Sequence, residues 1–211
     1  IYLLFNEGYG GGGDLARAPL CDEAIRLARL LLRLFPPQPE IMGLTALMLV
    51  QQSRVAARFD AEGEAVLLDD QDRTLWDTKL IGEGLALIDK AMRHNRPGPY
   101  QVQAAIAAIH ARAQTAAGTD WNAIDALYAA LERMQPSPVV TLNRAVAVAR
   151  LKGADAALEM ILPLESRLSG YFPYFGTRGA LLLQLGRTAE ARTAFTKAIA
   201  LAGSPAEAAH I

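Results

Sequence analysis

Apolar residues recur along this chain at helical spacing, in segments of 12 to 24 residues set off by proline and glycine. The breaks fall at Gly10–Gly13, Pro36–Pro39, Pro97–Pro99, Gly118, Pro136–Pro138, Gly153, Gly170–Pro173, Gly186 and Gly203–Pro205. Between Asp22 and Phe35, Arg26, Arg29 and Arg33 form a polar stripe. Ile25, Ala28, Leu31, Leu32 and Phe35 cover the remaining faces, which predicts a mostly buried helix. Asp14, Asp120 and Thr188 stand where N-caps are expected. The pattern predicts about ten helices joined by short loops.

A longer period lies on top of the helical one. Counting from Phe172, the residues Phe175, Gly179, Leu182, Gly186, Ala191, Phe195 and Ala198 fall at offsets 4, 8, 11, 15, 20, 24 and 27. That is the tetratricopeptide pattern, with small residues where paired helices cross closely and an aromatic reserved for the next repeat. Units at 105–138, 139–171 and 172–205 tile the C-terminal half. The expected fold is all-α: tetratricopeptide-like helical hairpins stacked into a right-handed superhelix, because each hairpin alone leaves one apolar face open. In the N-terminal half, Glu40–Ser53 and Leu75–His94 read as two helices of a further unit parted by an insertion at 54–77. Two parts follow, 1–97 with the insertion and 98–211 with the repeats, expected to form one continuous domain of a longer protein.

The insertion is where charge changes the picture. Arg58–Asp60 and Ala65–Leu68, joined by Ala61–Glu64, read as a small β-hairpin. From Asp60 to Asp77 there are seven carboxylates and one arginine, a net charge of −6 within a chain whose total is −1. The remainder is therefore +5, and near-neutrality hides segregation. Alanine (39) and leucine (31) supply one third of the 211 residues, a composition that favours helix. The lone Cys21 excludes an internal disulfide and suits a reducing compartment, so a cytoplasmic location is expected. Ile41–Val50, the longest apolar run, has about half the ~18 residues that a membrane span needs. No signal-peptide pattern is present, and a start without an initiator methionine in the middle of an apolar pattern suggests a piece of a longer polypeptide.

Catalytic patterns are weak. Asp69-Asp70-Gln71-Asp72 could grip Mg²⁺ only with a second acidic motif on a facing helix, and the sequence has none. It reads instead as a solvated connector with Asp72 near a helix start. Gly8–Gly13 has neither a preceding strand nor a following Lys-Ser or Lys-Thr. His94, His110 and His210 lack ligand spacing, and no nucleophile elbow occurs. An enzyme is not expected, nor a metal or cofactor. The repeat geometry offers a binding groove, because the first helix of each unit lines a concave face. Tyr100, Gln103, His110, Asn143, Arg144, Arg150 and Arg178 are its candidate contacts, with Gln184 beside them. Asp69, Asp70 and Asp72 are candidate acidic contacts.

Several ordered blocks carry a resemblance. They are Tyr2–Tyr9, Leu20–Leu27, Pro39-Glu40 with Gly43-Leu44 and Ala46–Met48, Leu67–Arg73 with Trp76-Asp77, Gly98–Ala108 and Ser137–Ala147. Together they resemble the C-terminal extension of extracytoplasmic-function RNA polymerase sigma factors that carry a tetratricopeptide-like domain. The resemblance implies a bacterial regulatory domain that modulates transcription initiation by touching the sigma core regions of the same polypeptide or RNA polymerase. DNA would be met only indirectly, through regions preceding Ile1, because this chain has no helix-turn-helix with a basic recognition helix. No membrane partner is implied, and the oligomeric state is left open. The rival reading is a free-standing scaffold holding a peptide or small ligand in its groove.

Overall fold

The computed structural model describes residues 1–10, 18–61 and 63–203, with the side chain of Ala18 excepted. The expected break at Gly11–Gly13, the Asp14 cap, the Ser204-Pro205 turn and His210 lie outside the described residues. Among those described, the chain is all-α, with ten α-helices and no strand. It divides into two compact units, Ile1–Asp120 and Trp121–Ile211.

The first unit holds α1 (Tyr2–Tyr9), α2 (Ala18–Leu34), α3 (Pro39–Gln52), α4 (Thr78–Met92) and α5 (Pro99–Arg112). Its organising element is α3, which contains the apolar run Ile41–Val50. Met42, Gly43 and Thr45–Val50 are all buried, as expected for a helix that is apolar all round. Around it pack α1, α2, α4 and α5. Phe5, Cys21, Ala24, Ile25 and Ala28 meet Met48 and Leu49 on one side, while Ile88, Ala104 and Ala108 meet Ala46 and Leu47 on another. Two glycines set the close approaches. A Cβ on Gly43 would lie 2.6 Å from the Gln101 backbone nitrogen, and one on Gly84 would lie 2.7 Å from Val50 Cγ2. Helix α2 is less buried at its end than its periodicity predicts: Leu34 and Phe35 are 60% and 50% exposed.

The second unit holds α6 (Trp121–Met134), α7 (Pro138–Lys152), α8 (Ala154–Ile161), α9 (Phe172–Gln184) and α10 (Thr188–Leu201). Helices α7 and α8 pair, as do α9 and α10, and one core runs through both pairs from Leu142 and Ala145 to Tyr174, Phe175, Leu182 and Ala198. Gly153 (φ +92°) reverses the chain between α7 and α8. Gly186 (φ +71°) closes α9 in a Schellman motif, with Arg187 N donating to Leu182 O and Gly186 N to Leu183 O. Phe195 does not wait for a further repeat: its ring fills the space above Gly179, where a Cβ would come within 2.6 Å of it.

Two expectations need correction. Thr188 is the first residue of α10 rather than its cap; the cap position is Arg187, whose guanidinium pairs with Glu190. The expected β-hairpin does not form. A single antiparallel bridge joins Phe59 to Ala65, flanked by Asp60 N to Glu64 O and Val66 N to Arg58 O. An isolated two-stranded ribbon is marginal without a third strand or a face to bury, and past Val66 the chain enters a turn in which Asp70 N and Gln71 N both donate to Leu67 O.

Candidate functional site

The insertion is short of regular structure yet firmly held. Its two ends are tied at the base, where Asp77 N donates to Ser53 O at 2.8 Å. Asp77 then caps α4, its Oδ1 accepting from Lys79 N (2.8 Å) and Leu80 N (3.1 Å). Three arginines strap the segment to the helices. Arg58 lies 3.7 Å over the Tyr9 ring and donates to the Tyr9 carbonyl at 2.5 Å, while Arg54 donates to the Tyr9 hydroxyl at 3.1 Å. Arg73 reaches the end of α5 and donates to the carbonyls of His110 (2.6 Å) and Ala113 (2.8 Å). That placement suits a helix C-terminus, whose last carbonyls lack intrahelical partners and carry the negative end of the dipole. Trp76, only 4% exposed, lies beneath both Arg73 (4.6 Å to the ring) and Arg54 (6.0 Å).

This crowding of guanidinium groups has electrostatic consequences. Burial pushes Arg58 and Arg73 below the usual arginine range, and Arg54 adds to the repulsion on each. His110 is pushed down to about 4, chiefly by burial, with Arg54 and Arg73 further opposing protonation and Asp69 partly offsetting them. His110 is therefore a neutral imidazole at the edge of an arginine cluster.

The candidate acidic contacts fare differently. Asp72 is exposed, and its Oδ1 accepts from Thr74 N (2.9 Å) and Thr74 Oγ1 (2.7 Å), bonds that hold its carboxyl below the usual range. It is a local cap on the turn Arg73–Leu75. Asp69 is half-buried and faces the Arg73–His110 side of the cluster. Asp70 is exposed and has no side-chain partner among the described residues. Among the described residues no three His, Cys, Asp or Glu side chains gather closely enough to hold a metal ion.

The candidate groove residues lie in both units. In the first, Tyr100 meets Tyr2 edge-on at 5.6 Å, Gln103 bonds the Pro99 carbonyl of its own helix at 3.3 Å, and His110 lies under Arg73. In the second, Arg144 is clamped between Asp125 (2.6 Å) and Glu132 (2.7 Å) of α6. Arg150 lies over Trp121 at 5.3 Å, and Arg178 pairs with Glu165 at 3.0 Å. Asn143 and Gln184 are exposed. The three arginines thus each bind their own unit, and Asn143 stands outward on α7.

Two groups of residues escaped the sequence reading. The strap residues Arg54, Arg58 and Arg73 gave a signal: the first two precede, and the third interrupts, a segment whose other charges are all acidic. Glu40 gave none, since its partners lie on the far side of the insertion. Its carboxylate accepts from Tyr100 N (3.1 Å), Gln101 N (3.2 Å) and Gln101 Nε2 (3.0 Å), capping α5 from another helix.

Comparison with known proteins adds two findings. Residues 1–92 match the model of a family described as "Family of unknown function (DUF6596)", a span that includes the whole arginine-strapped insertion. The chain is also 67% identical over 213 residues to a protein of Rhizobium meliloti (strain 1021) named "Uncharacterized protein R00370". All of this chain takes part in that match, and it spans 50% of the length of the Rhizobium protein.

Proposed function

We propose that this chain is the regulatory, protein-contacting half of a bacterial sigma factor, a tetratricopeptide-like extension that modulates transcription initiation through its acidic insertion. The observation that carries the reading is the strapping of that insertion. Three arginines and a buried tryptophan hold an otherwise irregular segment in one place, while Asp70 is exposed and unpaired among the described residues. A segment serving only as a connector has no need of such anchoring. Held rigidly, it presents negative charge without the ordering cost that a mobile acidic loop meets on binding.

Three further points support the reading. The helical pairs α7–α8 and α9–α10 are the hairpins that the repeat pattern describes, and in this proposal they continue a right-handed superhelix. The Rhizobium relative is twice as long, leaving room for promoter-reading regions in a protein of that size. Among the described residues no helix is long and apolar enough to cross a membrane. The partner is then the sigma core or RNA polymerase, with the insertion meeting a basic surface there and masking or positioning it. Produced separately, the two halves of the whole polypeptide should associate, and their affinity should fall as salt rises. No association, or one indifferent to salt, contradicts the proposal.

The second reading, a scaffold that holds a peptide or small ligand, draws on α7. Asn143, Val146 and Arg150 are exposed at i, i+3 and i+7 on one face of that helix. An Asn143→Ala variant with unchanged peptide binding removes this reading and leaves the first untouched.

A further inference from the structure

On the first unit, a cleft of about 720 Å³ runs between α2 and the ground where the insertion leaves α3 and enters α4. One wall is a single stripe of α2, on which Asp22, Arg26, Arg29 and Arg33 follow one another at helical spacing. At 1.5 Å per residue the stripe is about 16 Å long. The opposite side mixes Gln52, Ser53 and Asp77 with an apolar patch of Val55, Ala56, Leu75 and Leu80, of which Val55 and Leu75 are 48% and 52% exposed. Both line the same cleft, so its floor carries two exposed aliphatic side chains.

The charge on the walls says what kind of segment fits. Arg26 and Arg29 are paired with Glu23 and Glu83, but all four side chains are 41–61% exposed, so each pair exchanges readily for another carboxylate. Arg33, in the last turn of α2, is exposed and has no carboxylate partner among the described residues. Across the cleft, the Asp77 carboxylate is occupied by the α4 cap. The cleft therefore offers an apolar patch facing a wall of three arginines and Asp22, with Arg33, which has no carboxylate partner among the described residues, at one end.

We infer that this cleft docks an acidic amphipathic helix of a partner protein, with its apolar ridge on Val55 and Leu75 and its carboxylates turned toward the α2 stripe. A length of about 16 Å accommodates the i to i+7 anchors by which a helix seats in a groove. The inference rests on the cleft alone and is independent of the proposal for the acidic insertion, whose carboxylates Asp69 and Asp70 do not line it.

The test uses the whole chain and two dye-labelled helical peptides of fourteen residues, read by fluorescence anisotropy. Both carry leucines at i, i+3 and i+7; one has glutamates along a flank, and the other has lysines there. The glutamate peptide should bind about tenfold more tightly than the lysine peptide. Arg33→Glu should abolish that preference, and Leu75→Ser should weaken binding of the glutamate peptide. Both positions are exposed, and a melting curve establishes that each variant is folded. Equal binding of the two peptides, binding of neither, or a preference that survives Arg33→Glu overturns the inference. Asp70→Asn should leave peptide binding unchanged, which separates this surface from the acidic contact of the insertion.

Discussion

Glu40, at the start of α3, caps α5 through Gln101, a residue 61 positions further along, by accepting from both its backbone nitrogen (3.2 Å) and its side-chain amide (3.0 Å). The same Gln101 amide donates to the Arg96 carbonyl at 2.8 Å, fixing the loop that leads into α5. Gly98 is required beside it, because a Cβ there would overlap the Glu40 carboxyl. One carboxylate thus meets the positive end of a helix dipole and bolts two core helices together. Glu40→Ala should cost about 1–2 kcal/mol, and Gly98→Ala should destabilise as well. Urea unfolding of the two variants and of the double variant checks this: the double should cost less than the sum, because both act on one contact.

Two glycines of α9 should respond in opposite senses. At Gly179 an added Cβ meets the Phe195 ring at 2.6–2.9 Å, so Gly179→Ala should destabilise by about 1–3 kcal/mol. At Gly176 nothing lies within 4 Å of an added Cβ, so Gly176→Ala should stabilise by roughly 0.5–1 kcal/mol. Thermal melts of the pair decide whether the close crossing at the repeat position, rather than helix propensity, sets the glycine requirement.

Arg73 should matter more than an ordinary surface arginine. Arg73→Leu leaves the carbonyls of His110 and Ala113 without their donor and strips the cation from the Trp76 ring. A loss of about 2 kcal/mol is expected. In a Trp121→Phe background, Trp76 emission should shift to the red as the strap loosens; an unshifted spectrum with unchanged stability contradicts this role.

His110 makes stability depend on pH in a defined window. Its folded pKa, about 4, lies below the ordinary value of 6.5. Between those values the unfolded chain holds the proton and the folded chain does not, so its contribution is complete above pH 6.5 and is lost as pH falls toward 4. The bonds of Thr74 to Asp72 act in the same direction but at lower pH, since they depress a carboxyl from 3.8. A decline of about 2 kcal/mol from pH 7 to pH 4 is expected. His110→Asn should flatten it, which denaturant unfolding across that range measures.

The helices were legible in the sequence because their limits are local. Pro39, Pro99 and Pro138 open α3, α5 and α7, and Gly153 and Gly186 turn the chain after α7 and α9. The apolar run at Ile41–Val50 was visible as well, though not that four other helices would surround it. What escaped were contacts made across long separations: Arg58 with Tyr9 over 49 residues and Arg73 with His110 over 37. No spacing rule encodes such pairs, since they depend on where whole helices are placed. Two short runs about Gly63 predict a hairpin, whereas the order of the insertion comes from arginines gripping helix ends. At Arg144 the residue type suggested a ligand contact, and the structure places it between two carboxylates of the neighbouring helix.

The central claim is that the strapped acidic insertion is a contact surface. Its most direct measurement is promoter output from the whole polypeptide with Asp70 changed to Asn, leaving Asp69 beside the arginine cluster and the Asp72 and Asp77 caps intact. Changed output at an unchanged melting temperature is the predicted result. Unchanged output from a folded variant would contradict the claim.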